Sequence, residues 1–275
     1  MFPNTTKALY FSAKSTGRAG PGPNNVFVND PLTQFENSLS LLREGLNTAK
    51  GKKENRKLWD ELKSQLIKSN RETCKLGLKL VEELHEIDTV AEEVALFIMK
   101  TLVLNGAVKE STEIMLLAMN QPAFQQKERA LDLLENLEGP ELVVIFSFVL
   151  QKHINGNEGF TASMARQAIY GLRHEKNTEY SNSVAACLSD EESEAFSAAI
   201  DYFTSLDLAD YAPTLAIAIQ HGGSKEDILK VLHSLRKWQA AVARPYLEEM
   251  LKLDWVNLDR TRPIKKAIKE TIDQI

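Results

Sequence analysis

The sequence predicts an all-α protein of stacked antiparallel helical hairpins behind a flexible N-terminal arm, and three observations carry that expectation. Capping-box spacings recur, in which a Ser or Thr hydroxyl and a carboxylate three residues on satisfy each other's orphan amides: Thr33/Glu36, Ser69/Glu72, Thr89/Glu92 and Ser189/Glu192, with Ser224/Asp227 a weaker variant. Stop signals are equally regular, because Asn105-Gly106, Gly139-Pro140, Asn155-Gly156 and Gly222-Gly223 accept positive φ or end a hydrogen-bond ladder. Between these signals the apolar residues keep a helical period, as in Ala91, Ala95, Ile98 and Leu102 or in Ile228, Leu232 and Leu235, and two-residue alternation is nearly absent.

Residues 1–29 place Pro3, Gly17, Gly20, Pro21, Gly22 and Pro23 among Asn, Ser and Thr, with Lys7, Lys14 and Arg18 as the only charges. Such a composition does not offset its own ordering entropy, so a disordered or partner-docked basic arm is expected. The arm carries +3 and the remaining residues −8, which opposes the two in charge. The first helix is expected over 31–49, opened by Pro31 and the Thr33/Glu36 box. Helices over 55–69 and 71–87 follow, divided at the Ser69/Glu72 box. The stretch 90–104 lies between the Thr89/Glu92 box and Asn105-Gly106, and 107–120 and 122–137 lie between that stop and Gly139-Pro140. The next helix, 140–154, holds the longest apolar run, Leu142–Leu150, and ends at Asn155-Gly156. Helices over 160–173 and 178–188 flank the break His174-Glu175-Lys176-Asn177-Thr178. The Ser189 box starts 190–206, Gly222-Gly223 closes 210–221, and Ser224 caps 224–236. The last two helices are 237–253, kinked by Pro245, and 262–274.

Helices this short with such small breaks lie antiparallel to their neighbours, so hairpins of about 33 to 36 residues are expected. The chain lacks the Trp/Leu/Gly/Tyr/Ala/Phe/Pro pattern of tetratricopeptide units and the Thr-Pro-Leu-His of ankyrin units. Its hairpins most resemble degenerate HEAT-like pairs, which implies an α-solenoid, with an irregular helical bundle as the alternative packing. Residues 30–275 read as one all-α domain, and any subdivision falls near 155–178.

Composition excludes several classes. With 43% hydrophobic and 26% charged residues, 275 residues can bury a sizeable core. The net charge of −5 disfavours a surface given over wholly to nucleic acid, which needs concentrated Lys and Arg. Cys74 and Cys187 are the only cysteines and form no Cys-x-x-Cys pair, so a reducing, cytoplasmic or otherwise intracellular setting is expected. The run Leu142–Leu150 is far shorter than the roughly 20 residues of a membrane span, and neither a span nor a secretory signal is expected.

No motif for catalysis or cofactor binding stands out. Glu82 and His85 lie one helical turn apart as in di-iron bundles, but such a centre needs that pair twice plus two further glutamates, and there is no second copy. Gly-x-Ser-x-Gly, His-Glu-x-x-His and the glycine-rich phosphate loops are all missing. No catalytic residue, metal ligand or cofactor is therefore assigned. The dense positive stretches are Lys50–Lys57 and Arg260–Lys266, each beside a tryptophan, with Arg236-Lys237-Trp238 a third such pairing. Arg56, Trp59, Trp238, Trp255 and Arg262 are the candidate partner contacts.

The leading expectation is a non-enzymatic scaffold or adaptor that binds a protein through a helical-repeat surface. Its alternatives are a self-assembling structural protein of viral or phage nucleoprotein or shell type, built from copies of itself through the arm, and a nucleic-acid-binding helical repeat. An enzyme on such a scaffold, for example a base-excision glycosylase, would have to use Asp254, Trp255 and Arg260.

Overall fold

The computed structural model describes residues 70–275 apart from Asn136, Glu191 and Glu192, together with the single helical positions Asn37, Ser40, Lys57, Asp60 and Ser64. The expected arm, most of the helices over 31–49 and 55–69, and the candidate contacts Arg56 and Trp59 lie outside the described residues. Every regular element among the described residues is helical. The α-helices are α1 (Asn70–Glu82), α2 (Thr89–Leu104), α3 (Val108–Asn120), α4 (Lys127–Asp132), α5 (Pro140–Ile154) and α6 (Ala162–His174), followed by α7 (Ser181–Ala186), α8 (Glu194–Ser205), α9 (Ala212–His221), α10 (Lys225–Lys237), α11 (Arg244–Met250) and α12 (Arg262–Gln274). Short 3-10 turns join several of them.

Caps explain where the helices start. Ser224 caps α10 as its sequence context predicts, its Oγ accepting the Asp227 amide at 3.1 Å. Two other boxes are displaced. In α2 the cap is Asp88, whose Oδ1 accepts the amides of Val90 at 3.1 Å and Ala91 at 3.0 Å. A carboxylate one residue before Thr89 does the capping, and Glu92 is left free to turn inward. In α8 the cap is Ser193, which accepts the Ala195 amide at 3.2 Å. Ser189 instead closes the preceding 3-10 turn, its Oγ donating to the Ala186 carbonyl at 2.9 Å.

Five helix ends share one construction, a left-handed residue followed by an amide that reaches back to a carbonyl five residues earlier. The left-handed residues are Gly106, Gly156, Lys176, Asp207 and Gln239. The returning bonds are Ala107 to Leu102, Asn157 to Lys152, Asn177 to Leu172, Leu208 to Phe203 and Ala240 to Leu235, all between 2.8 and 3.1 Å. Only two of the five positions are glycine.

Two expected helices are shorter than their periodicity suggests. The stretch 122–137 yields only α4, because Phe124 is fully buried from a turn and the Gln125 amide donates to the Glu92 carboxylate at 3.1 Å, a tertiary bond that replaces a helical one. The stretch 237–253 is not a kinked helix. Gln239 breaks the chain at φ 51, and Pro245 sits in the first turn of α11, where its missing N–H leaves no bond unmade.

Packing links the helices in two series. Odd-numbered helices touch in order, α1 with α3, α3 with α5, α5 with α7 and α9 with α11, while the 3-10 turn Cys187–Ser189 joins α7 to α9. Even-numbered helices do the same, α2 with α4, α4 with α6, α6 with α8, α8 with α10 and α10 with α12. The series are tied by hairpin contacts such as α1 with α2, α5 with α6, α9 with α10 and α11 with α12. One continuous apolar core runs from Cys74 to Ile268. Ile98, Met99, Ile114, Met115, Phe196 and Phe203 are buried to the last percent, and each such side chain contributes about 1.5–3 kcal/mol. The α5/α6 crossing is close: a Cβ on Gly171 would lie 2.2 Å from the Phe146 ring.

Candidate functional site

Trp238 and Trp255, proposed as contacts, are both half-buried with their indole N–H groups engaged within the fold. Trp238 ends α10 and donates to Asp207 Oδ1 at 3.3 Å, beside the Lys237 ammonium on the same oxygen. The Lys237 and Trp238 bonds hold the Asp207 carboxyl below its ordinary range. Trp255 donates to the Gln220 carbonyl at 3.1 Å, which supplies a partner for the last turn of α9. Asp254 and Arg260 beside it are exposed.

Arg262 is exposed at the start of α12 and lines a broad groove of about 1050 Å³ with Lys265, Lys266 and Lys269. The helix is strongly amphipathic: Ile264, Ile268 and Thr271 face the core, and the cations lie on the other side. Lys265 donates to Asn257 Oδ1 at 2.6 Å and Lys266 pairs with Glu270 at 3.7 Å.

The even-numbered helices are laced together by charge. Arg129 of α4 bonds Glu93 of α2, Arg166 of α6 pairs with Glu194 of α8 at 3.0 Å, and Asp201 of α8 takes Lys230 of α10 on one oxygen and Arg173 of α6 at 3.6 Å on the other. Exposed pairs of this kind contribute about 0–1 kcal/mol each, so they set register more than stability. The odd series differs. Helices α7 and α9 contain no Asp, Glu, Lys or Arg, and α5 has only Glu141 and Lys152.

A cleft of about 540 Å³ opens in the even series between α4 and α6. It exists because α4 has only six residues, so the chain turns away at Leu133 and leaves the side of α6 uncovered. Its floor is apolar, made by Leu131, Leu134, Leu137 and the edge of Phe146. One wall is α6, where Arg173 lies 4.9 Å over the ring of the part-exposed Tyr170. The other wall carries Glu135 and Glu138. Gln167 spans the gap, its Nε2 donating to Asp132 Oδ1 at 2.6 Å, while its Oε1 is buried without a hydrogen-bond partner. Because Asp132 accepts, the amide nitrogen must face it, and this fixes the carbonyl on the opposite side. No sequence motif marks this cleft.

A buried charged constellation lies beneath the α3–α4 turn. Glu92 is 1% and Lys127 7% exposed. Lys127 Nζ donates to the Phe124 carbonyl at 2.6 Å and lies 5.9 Å from the centre of the Phe160 ring; Glu92 Oε1 is buried without a hydrogen-bond partner. Burial pushes the Glu92 carboxyl above its ordinary 4.5, against the pull of the Gln125 and Gln126 amides and of Lys127. Burial pushes the Lys127 ammonium below 10.5, against Glu92 and Glu158.

Both cysteines are buried thiols. Burial raises the Cys187 pKa to about 11 and also raises that of Cys74, where Glu113 and Glu110 add to the effect. We expect neither to react with a thiol-exchange reagent in the native protein at neutral pH, and both to react at once in denaturant. A native thiol reacting as fast as a free one in the dithionitrobenzoate assay would contradict this burial.

Glu82 and His85 are exposed, and among the described residues no three His, Cys, Asp or Glu side chains converge as a metal site. No helix among them is long and apolar enough to cross a membrane. The class that fold and surface define is an all-helical protein whose even series is laced by ion pairs and whose odd series has no charged residue in α7 or α9. No protein-family model, curated protein or solved structure matches the chain.

Proposed function

We propose that the chain is a non-enzymatic scaffold, an α-solenoid of stacked hairpins that holds a protein partner along its even-numbered helices. The observation that supports this reading is the pair of contact series, each helix meeting the next but one on its own side. Such a stack is extended rather than closed, and its side chains face a partner along the whole length. From α2 to α10 the even series favours a protein partner, since Arg129, Arg166, Arg173 and Lys230 there pair with carboxylates and the α4–α6 cleft has an apolar floor. Residues 70–275 carry 32 Asp and Glu against 22 Lys and Arg, which repels a polyanion over most of that length.

A second reading, contact with nucleic acid or another polyanion, is favoured locally by Arg262, Lys265, Lys266 and Lys269 along the α12 groove. Size-exclusion chromatography with light scattering on the full chain, at low and high salt, separates these readings. The scaffold reading expects a monomer free of nucleic acid at both. Assembly that survives salt would support the self-assembling alternative, and salt-sensitive co-elution of nucleic acid would support the polyanion reading.

A further inference from the structure

We infer that the cationic stripe of α12 receives a short acidic segment of the protein partner. The inference rests on the scaffold reading and adds the chemistry of the contact at the last of the even-numbered helices. Arg262, Lys265, Lys266 and Lys269 stand at i, i+3, i+4 and i+7, a spacing that gathers them on one face of the helix. Ile264, Ile268 and Thr271 hold the opposite face in the core, so the stripe is turned outward. The four cations span about 10 Å along the axis, and no carboxylate interrupts them between Arg262 and Lys269. Among the described side chains the stripe forms one ion pair, Lys266 with Glu270 at 3.7 Å, while Lys265 donates to the neutral amide oxygen of Asn257. On the adjoining α10, by contrast, Lys230 and Lys237 are each bonded to a carboxylate, Asp201 and Asp207.

The stripe stands against the charge of its surroundings. Outside α12, residues 70–275 hold 30 Asp and Glu against 18 Lys and Arg. An acidic segment is therefore drawn to α12 and turned away elsewhere, which sets the register of a partner on the scaffold. Two features favour a short acidic peptide segment over a nucleic acid. Glu270 and Asp273 close the stripe after Lys269, so a phosphate backbone running on along the helix meets like charge within a turn, whereas a cluster of a few carboxylates ends before it. The groove also offers apolar contact, because Leu258 is 43% exposed and Pro263 is exposed beside the cations. A peptide covers such surface with an apolar side chain set among its carboxylates, and a sugar–phosphate backbone has none.

The test is a selection of random phage-displayed peptides on the intact full chain, with the tightest binders resynthesised and titrated by calorimetry. The expected result is a set of peptides sharing clustered Asp and Glu beside an apolar residue. Their affinity should fall about tenfold or more in Lys265→Gln/Lys266→Gln/Lys269→Gln. It should stay within about twofold in Lys75→Gln/Lys100→Gln/Lys109→Gln, which removes the same net charge from exposed positions on α1, α2 and α3. Should the α12 variant fail to fold for want of the Lys265 bond to Asn257, Lys266→Gln/Lys269→Gln decides against Lys100→Gln/Lys109→Gln. Binders without an acidic cluster, or binders that keep full affinity for the α12 variant, overturn the stripe; they leave the scaffold reading standing, since they engage another surface. Equal losses in the two variants overturn it as well, because they show attraction to net charge alone, and so does a folded chain that selects no binder. A short mixed-sequence DNA duplex or phosphatidylserine vesicles bound more tightly than the peptides, and lost in the α12 variant, would give the stripe to phosphate groups and overturn its assignment to a protein. Self-association abolished by the α12 variant would give it to a second copy of the chain and overturn it likewise.

Discussion

Replacing Gly171 with alanine is expected to cost about 2–3 kcal/mol, and replacing it with valine to prevent stable folding. The Cβ at this position would meet three atoms of the Phe146 ring at 2.2 to 2.5 Å. Phe146 is 5% exposed, and its ring has only the cleft edge to move into. Relief therefore requires the ring to be pushed toward the cleft or α5 and α6 to separate. The contrast is Gly106→Ala, where φ is 74° and nothing lies within 4 Å, so that backbone strain of about 1 kcal/mol is the whole cost. Urea unfolding of the two variants side by side measures the difference. Equal midpoints for Gly171→Ala and the wild type would mean that α5 and α6 do not approach this closely.

The second large effect is expected at Lys127. Lys127→Met removes a buried cation that donates to the Phe124 carbonyl and partly offsets the Glu92 charge, at a cost of about 3 kcal/mol. Glu92→Gln keeps an acceptor for the Gln125 amide but leaves Lys127 without its nearest opposite charge. The double variant should lose less than the sum of the two, with a coupling of about 1–2 kcal/mol. Strict additivity would show that the groups do not sense each other.

This pair also has a pH signature. Glu92 holds its proton more tightly folded than unfolded, so its contribution to stability is full below 4.5 and is lost as pH rises through its raised folded value. Lys127 has the opposite history at alkaline pH: its folded pKa is depressed, and stability is gained as pH rises from that value toward 10.5. The stability of wild type minus that of Glu92→Gln should therefore fall between 4.5 and neutrality. A difference that rises over that interval would mean that the carboxylate is stabilised in its charged form.

Much of the fold was legible in the sequence, because helix type depends on local periodicity. The helices expected over 140–154 and 262–274 match α5 and α12 residue for residue. Reading failed where tertiary bonds displaced local ones. The Thr89/Glu92 spacing satisfies the capping rule, yet Asp88 takes the cap and Glu92 turns into the core. Three helix ends carry their left-handed turn on Lys176, Asp207 and Gln239, which no glycine announces. Helix contact partners were not legible either, since the two series depend on which faces meet.

The candidate contacts divide by the same logic. Arg262 could be read as surface because it belongs to a run of cations opposite the apolar stripe of α12. Trp238 and Trp255 could be placed near such runs, but their bonds to Asp207 and Gln220 cross about 31 and 35 residues of sequence, as the hairpin repeat permits. The α4–α6 cleft left no trace in the text. It arises from the early end of α4, after which the amides of Leu134 and Leu137 reach back only three residues.

The central claim is that a protein partner lies along the even-numbered helices. Site-specific photo-crosslinking in cells that express the full chain tests it most directly, with benzoylphenylalanine placed in turn at Tyr170 of α6, Lys269 of α12, and Val144 and Ile217 of the odd series. The account predicts one discrete heavier adduct from Tyr170, identified by mass spectrometry as a second protein, and little from Val144 or Ile217. Adducts only between copies of the chain, or adducts confined to the odd-series positions, would contradict it.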